Sequence, residues 1–376
     1  MVLVGEGIRL VSHHKETIDR RKKILGEMIG GPVPRLWCPP LTHYTKRGEL
    51  DKDRMTAHWT FMLPHVNSFL LPGSTSDGWE MTDNEVSSLL DFALEFAGRF
   101  EIRLLIGVLK STSSGTCEML TNIVRLLKKK TGTQDTMRAL KQSKVCGFTV
   151  CAPHGTGLSQ DEIQGALKSV LDLSLPTAFY QLPQVTGNEM SPGVVLDLAE
   201  HYPNLIFLKD SSGNDTVALE DHGKSGIWFM RGAEGEYAKW LKESGGPYDG
   251  LLLSTANCFG EQLGQLVSWL EEGKNEKAVA LSDLLTGLLS NVFDIVGSLP
   301  EGNPFSNANK AIDHFMGYGQ KAEKIPPPIL HAGMPLPGKV IFEVGRILDK
   351  AGLLPQKGYL NRVKTPGPFH RRRRDE

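Results

Sequence analysis

The sequence has no excess of charge of either sign: 42 lysines and arginines stand against 43 aspartates and glutamates, a net charge near −1. Without a global basic field nothing draws the chain to nucleic acid or to an anionic membrane, and its partners are expected to be small molecules. Cysteine is scarce and scattered. Cys38, Cys117, Cys146, Cys151 and Cys258 are odd in number and contain no CxxC pair, which argues against a disulfide framework or a zinc site and fits a reducing cytoplasm. No uninterrupted apolar stretch is long enough to cross a bilayer. The N-terminus, rich in His, Lys, Glu and Arg, also lacks the apolar core of a signal peptide. Cytoplasmic location is therefore the expectation. No Gly-x-Gly-x-x-Gly follows the first apolar run, so the dinucleotide-binding fingerprint is missing as well.

What the chain does have is ordinary globular material, 40% hydrophobic and 23% charged, enough for one large domain with additions. Residues 1–31 carry His13-His14-Lys15-Glu16 and Arg20-Arg21-Lys22-Lys23, followed by Ile24, Leu25, Met28 and Ile29 and closed by Gly30-Gly31. This reads as an amphipathic helical arm that either contacts another subunit or packs on its own domain. After it come eight short apolar runs, at 35–39, 68–71, 103–108, 147–152, 177–182, 205–209, 227–230 and 250–254. Between them lie helical segments, two of which open on capping boxes, Thr82 with Glu85 and Ser159 with Glu162. Near-continuous apolar strands alternating with one-faced helices mean a parallel sheet covered by helices, and eight repeats favour a closed (β/α)8 TIM barrel over 32–272. A C-terminal helical extension is expected over 273–358, with helices at 277–293 and 339–351. The residues from 359 to 376, ending in Arg371 to Arg374, read as a disordered tail.

In such a barrel the chemistry belongs at the carboxyl ends of the strands. Lys209 ends the sixth run, in Leu208-Lys209-Asp210-Ser211-Ser212-Gly213. Burial disfavours the charged form of an amine, and a neutral amine attacks carbonyl carbons to form Schiff bases. A lysine there can instead do no more than pair with a neighbour such as Asp210. Tyr180 ends the fifth run, on the neighbouring strand, as either a proton donor or a tethered core residue. The loop after the second run reads Pro72-Gly73-Ser74-Thr75-Ser76-Asp77-Gly78. Its glycine admits a ligand to the backbone, its N–H groups can hold a carboxylate and its hydroxyls can relay protons, although a structural turn has the same composition.

Through Gly73-Ser74-Thr75, Tyr180-Gln181-Leu182-Pro183 with Gly187, and Leu208 to Gly213, the chain resembles the dihydrodipicolinate synthase and N-acetylneuraminate lyase family of class I, pyruvate-dependent aldolases. Lesser matches are Gly48-Glu49-Leu50-Asp51, the Gly232 turn and Ser254-Thr255-Ala256-Asn257. The resemblance implies that Lys209 is the Schiff-base lysine and Tyr180 the proton shuttle. It also implies that Gly73, Ser74 and Thr75 bind the pyruvyl carboxylate, with Thr75 touching the tyrosine. It implies no metal, no organic cofactor, 2-oxo acid and aldehyde substrates, and a homo-oligomer, a tetramer or a dimer. Two positions depart from the family. Val185 stands where dihydrodipicolinate synthases place an arginine for the second substrate's carboxylate, and a valine, expected to be buried, cannot replace a guanidinium. Ala152-Pro153-His154-Gly155 replaces a tyrosine pair, one member of which enters a neighbouring subunit's relay; His154 is either an acid–base or hydroxyl-binding group or an idle loop residue. The expected activity is an aldolase or lyase reaction on pyruvate or a related 2-oxo acid, with true dihydrodipicolinate synthesis disfavoured. The alternatives are a dehydratase or deaminase using the same imine, and a barrel that binds 2-oxo acids without turnover.

Overall fold

The structure is a computed structural model that describes residues 3–221 and 223–361. The arginine-rich end, read above as a disordered tail, lies outside the described residues. All eight apolar runs form strands: β1 (Leu36–Trp37), β2 (Ser68–Leu71), β3 (Arg103–Val108), β4 (Val145–Cys151), β5 (Thr177–Gln181), β6 (Leu205–Asp210), β7 (Trp228–Arg231) and β8 (Gly250–Leu252). They are parallel and pair in chain order from β2 to β8, then β8 with β1. The ring closes between β1 and β2, where Cys38 N donates to the Ser68 carbonyl at 3.0 Å and Leu70 N to the Cys38 carbonyl at 2.9 Å. The expected (β/α)8 barrel is what forms. Its strands are apolar on both faces because one face fills the barrel and the other meets the helices; all six residues of β6 are buried.

The N-terminal helix α1 (Leu3–Ile29) lies against the barrel of its own chain. Leu25, Met28 and Ile29 are buried, and the Arg21 guanidinium, fully buried, donates to the carbonyls of Ala199, Tyr202, Leu205 and Ser225. Leu205 is the first residue of β6, so the helix covers the end of the barrel opposite the strands' carboxyl ends. The arm thus packs on its own domain, one of the two readings given above.

The barrel helices are α2 (Lys52–Met62), α3 (Asp83–Phe100), α4 (Ser113–Thr131), α5 (Thr136–Gln142), α6 (Gln160–Leu171), α7 (Pro183–Thr186), α8 (Pro192–His201), α9 (Thr216–Asp221) and α10 (Ala256–Glu271). Both capping boxes form: Glu85 Oε2 accepts from Thr82 N and Glu162 Oε2 from Ser159 N, each at 2.8 Å. Trp59 of α2 is fully buried, with the rings of Phe69, Phe92 and Phe96 edge-on to it at 5.0–5.4 Å, and this cluster joins α2, β2 and α3.

The extension contains α11 (Asn275–Val296), α12 (Pro304–Tyr318) and α13 (Gly338–Lys350). The two expected helices are present as α11 and α13. Helix α11 is long and apolar enough to cross a bilayer by length and composition, although Asp283 and Asp294 interrupt its apolar run; here one face of it packs on α10, α12 and α13. Helix α12 was not expected. It does carry an apolar stripe, Phe305, Ala308, Ile312 and Phe315 at three- and four-residue spacing, but it is buried on nearly every side, and its polar residues Asn307, Asn309, Lys310, Asp313 and His314 are buried with the rest. The boundary at 359 also falls early: Tyr359 is buried, stacks on Phe61 at 4.7 Å and donates its hydroxyl to Asp313 Oδ1 at 2.8 Å.

Candidate active site

Strand register builds the centre of the site. Cys151 of β4 pairs with Tyr180 of β5, Tyr180 with Lys209 of β6, and Lys209 with Met230 of β7, so these residues form one row at the carboxyl ends of the strands. Lys209 is 4% exposed, and its Nζ stands 3.9 Å from the centroid of the Tyr180 ring. It does not pair with Asp210. Adjacent strand residues point to opposite faces, and Asp210 turns away to accept from Ser212 N at 2.9 Å and Ser212 Oγ at 2.6 Å, its other oxygen having no protein partner. Burial pushes the Asp210 carboxyl up, against its bonds to Ser212. The neighbouring thiols are not rival nucleophiles: burial pushes Cys151 up to about 12 and Cys38 well above the usual thiol range.

A glycine makes room for the lysine. A Cβ on Gly232, just past β7, would lie 2.7 Å from Lys209 Cε and collide with Ser211 Oγ. Glu234 follows on the same turn. Its carboxylate accepts from Ser254 Oγ (2.5 Å), Thr255 N (3.0 Å), Thr255 Oγ1 (2.6 Å) and Tyr237 OH (2.9 Å), which uses both oxygens twice. The Ser254-Thr255 match after β8 thus serves to hold this charge.

The loop after β2 is a single 3-10 turn, Ser74–Ser76, ended by Asp77 in the left-handed region at φ 60°. Ser74, Thr75 and Ser76 are buried. Ser76 Oγ donates to the Pro40 carbonyl at 2.6 Å, and Asn303, which caps α12, donates from Nδ2 to the Ser74 carbonyl at 3.1 Å. A Cβ at Gly73 would come within 2.9 Å of Pro39 Cβ, so the turn needs glycine there. Asp77 receives Lys310 Nζ at 2.8 Å and Tyr44 OH at 3.1 Å, an ion pair with both side chains almost fully buried. The hydroxyl that reaches the tyrosine is not the expected one: Ser74 Oγ lies 3.3 Å from Tyr180 OH and also accepts from Trp79 Nε1 at 3.1 Å.

His154 lies on the far side of Trp79, their ring centroids 4.9 Å apart, and its Nε2 is buried with no protein partner. Val185, by contrast, is 36% exposed on the short helix α7, so the expectation of a buried valine is corrected. Tyr180, Lys209, Ser74 and Thr75 are thus brought to one end of the barrel, with His154 one ring removed. Trp79, Glu234, Tyr44 and Lys310 were not read from the sequence. Only Glu234 had a signal, its place two residues after the Gly232 turn.

A second polar cluster lies between α2, α10 and α12. The ligand atoms of His43, His58 and Asp313 fall within 4.8 Å of one another. Their bonds are internally complete. His58 Nε2 is 2.9 Å from the Asn257 carbonyl, which puts its proton there and leaves Nδ1 to accept from His43 Nε2 at 3.1 Å. Asp313 holds Arg54 at 2.5 Å and Tyr359, and a guanidinium already on the carboxylate opposes a second cation. Burial lowers both histidines, with Arg54 adding to the effect. Their pKa values in the unfolded chain are near 6.5. Below that pH the unfolded state takes up protons that the folded state refuses, so stability is full above about 6.5 and falls as the pH drops. The expected slope is about 1.4 kcal/mol per pH unit for each histidine. Urea unfolding at pH 7, 6 and 5 checks this, and a His58→Asn variant should show a shallower fall; an unchanged slope would contradict it.

The sequence profile of the Dihydrodipicolinate synthetase family matches residues 33–300. The chain belongs to this family. It is similar to the 4-hydroxy-tetrahydrodipicolinate synthase of Acidothermus cellulolyticus, 23% identical over 268 residues, 71% of this chain and 80% of that protein. With several other such synthases the alignment spans 53–61% of the relative's length. Among solved structures, the fold is similar to that of YagE, a prophage protein of the dihydrodipicolinic acid synthase family from Escherichia coli K12 solved in complex with pyruvate. That match has a TM-score of 0.66 at 20% identity and covers 86% of this chain and 100% of that one. A variant of the Sulfolobus solfataricus 2-keto-3-deoxygluconate aldolase matches with a TM-score of 0.66 at 17% identity, over 85% and 96% of the two chains.

Proposed function

We propose that this family member is a Schiff-base lyase that cleaves or forms a carbon–carbon bond next to a 2-oxo acid, with Lys209 as the nucleophile. The single observation that carries the reading is the buried Lys209 amine, free of Asp210 and set on the Tyr180 ring beside the Ser74 hydroxyl.

In the cleavage direction Lys209 Nζ adds to the C2 carbonyl, and the carbinolamine loses water with a proton from the Tyr180 hydroxyl, leaving an iminium and a phenolate. The phenolate takes the C4 hydroxyl proton as the C3–C4 bond breaks. Its electrons move into the iminium, giving an enamine and a free aldehyde. Tyr180 then returns the proton to C3, and hydrolysis frees pyruvate and the lysine. No electron is gained or lost overall, and the iminium is the electron sink. The N–H groups and hydroxyls of Ser74 and Thr75 are the proposed holder of the substrate carboxylate. Val185 brings no cation for a second carboxylate, so the preferred partner is a neutral, hydroxylated aldehyde.

The names of the relatives span a synthase and a sugar-acid aldolase, and both belong to this class. Incubation with 2-oxo-3-deoxy sugar acids, followed by product analysis, tests the reading: pyruvate plus an aldehyde in equal amounts is expected. A dehydrated or deaminated 2-oxo acid in their place would assign the same imine to elimination. Assembly into a homo-oligomer is also proposed, from the family resemblance, and light scattering measures it.

A further inference from the structure

We infer that Asn303, at the start of α12 in the C-terminal extension, is a positioning residue that fixes the peptide whose N–H grips the substrate carboxylate; this rests on the imine and carboxylate reading above. The residue lies beyond positions 33–300, which the family profile matches. Both ends of its amide are assigned by what they meet. Ser306 N can only donate, so the atom 2.9 Å from it is Oδ1, the cap of α12. Nδ2 then faces the Ser74 carbonyl at 3.1 Å and Glu80 Oε1 at 3.3 Å, two acceptors for its two hydrogens.

The Ser74 carbonyl also accepts from Asp77 N at 3.1 Å, so both of its lone pairs are used and the Ser74–Thr75 peptide is held in its plane. That peptide is trans, which puts the Thr75 N–H on the edge opposite the carbonyl. The Thr75 N–H meets no protein acceptor among the described residues and is left for a carboxylate oxygen. Asp77 belongs to the turn itself, whereas Asn303 comes from a helix outside the barrel and ties the plane of this peptide to the body of the protein. Lys310, about two helical turns further along α12, holds Asp77 at the other end of the turn. Helix α12 thus fixes the turn at both ends, and Asn303 is its contact with the gripping peptide.

The test uses the full-length protein, the 2-oxo acid that the wild type traps on borohydride reduction, with pyruvate first, and the methyl ester of that acid. The ester keeps the 2-carbonyl and removes the carboxylate charge. Asn303→Ser and Asn303→Asp both keep an oxygen to cap α12, and both lose the amide donor to Ser74. Trapping efficiency at low concentration of the acid should fall about tenfold in each variant, the scale of one hydrogen bond to a charged group. Efficiency with the ester, and the amount of adduct at saturating acid, should change by less than about twofold. A residue that serves α12 alone would not distinguish the two ligands. Equal losses for acid and ester, an efficiency with the acid within about twofold of wild type, or failure of both variants to fold would each overturn the inference. A wild type with no preference for the acid over its ester would overturn the carboxylate role of the turn, and one that traps no 2-oxo acid at all would overturn the imine reading; this inference falls with either.

Discussion

Replacing Lys209 with Ala is expected to lower turnover of any accepted 2-oxo acid by at least about 10⁴-fold, the scale on which enzymes lose a covalent nucleophile. Lys209→Arg should lose as much, because a guanidinium keeps the charge and the contact with the Tyr180 ring but forms no imine at neutral pH. The pair of variants separates chemistry from packing. A purely structural lysine would tolerate arginine better than alanine; a nucleophile tolerates neither. Tyr180→Phe keeps the ring beneath the amine and removes the hydroxyl that meets Ser74, and should cost about 10²- to 10⁴-fold in kcat. Steady-state rates with thermal melts on the same samples check all three, and an arginine variant with more than a tenth of wild-type kcat would contradict the account.

Lys310→Met should produce the largest loss of stability. Lys310 and Asp77 are both buried, and removing the cation leaves an uncompensated carboxylate shared only with the Tyr44 hydroxyl. Breaking a buried pair in this way costs about 3–5 kcal/mol. The effect should also reach the site, because Asp77 ends the turn that carries Ser74 and Thr75. The expected result is a lower urea midpoint with a raised KM for the 2-oxo acid. Pairing Lys310→Met with Asp77→Asn should recover much of the stability, since a neutral amide buried there is cheaper than a lone charge. A single variant as stable as wild type would show that this ion pair does not hold the turn.

The centre of the site was legible because it breaks a local rule. A lysine closing an apolar run is out of keeping with a buried strand, and Tyr180 sits at the matching end of the preceding run; parallel pairing then sets the two side by side. The barrel was legible from eight runs with helical segments between them, two of those with explicit capping boxes. Illegible parts depend on contacts distant in sequence or on buried polar groups. Lys310 meets Asp77 across 233 positions, and α12 buries polar residues as well as its apolar stripe, which nothing in its own sequence announces. Trp79 is one aromatic in a loop, and its bond to Ser74 exists only once the turn has folded. The exchange of Ser74 for Thr75 at the tyrosine is a matter of which way a single turn points its hydroxyls. Val185 faces solvent because α7 is one short turn and presents little of itself to the barrel.

The imine at Lys209 is the central claim, and borohydride reduction in the presence of pyruvate tests it most directly. Intact and peptide masses should show one reduced pyruvyl adduct on the peptide that contains Lys209, absent from Lys209→Ala. Larger 2-oxo acids go through the same trap. An adduct confined to other lysines, or no adduct with any 2-oxo acid while binding still saturates, would contradict the account and mark the barrel as a binder without imine chemistry.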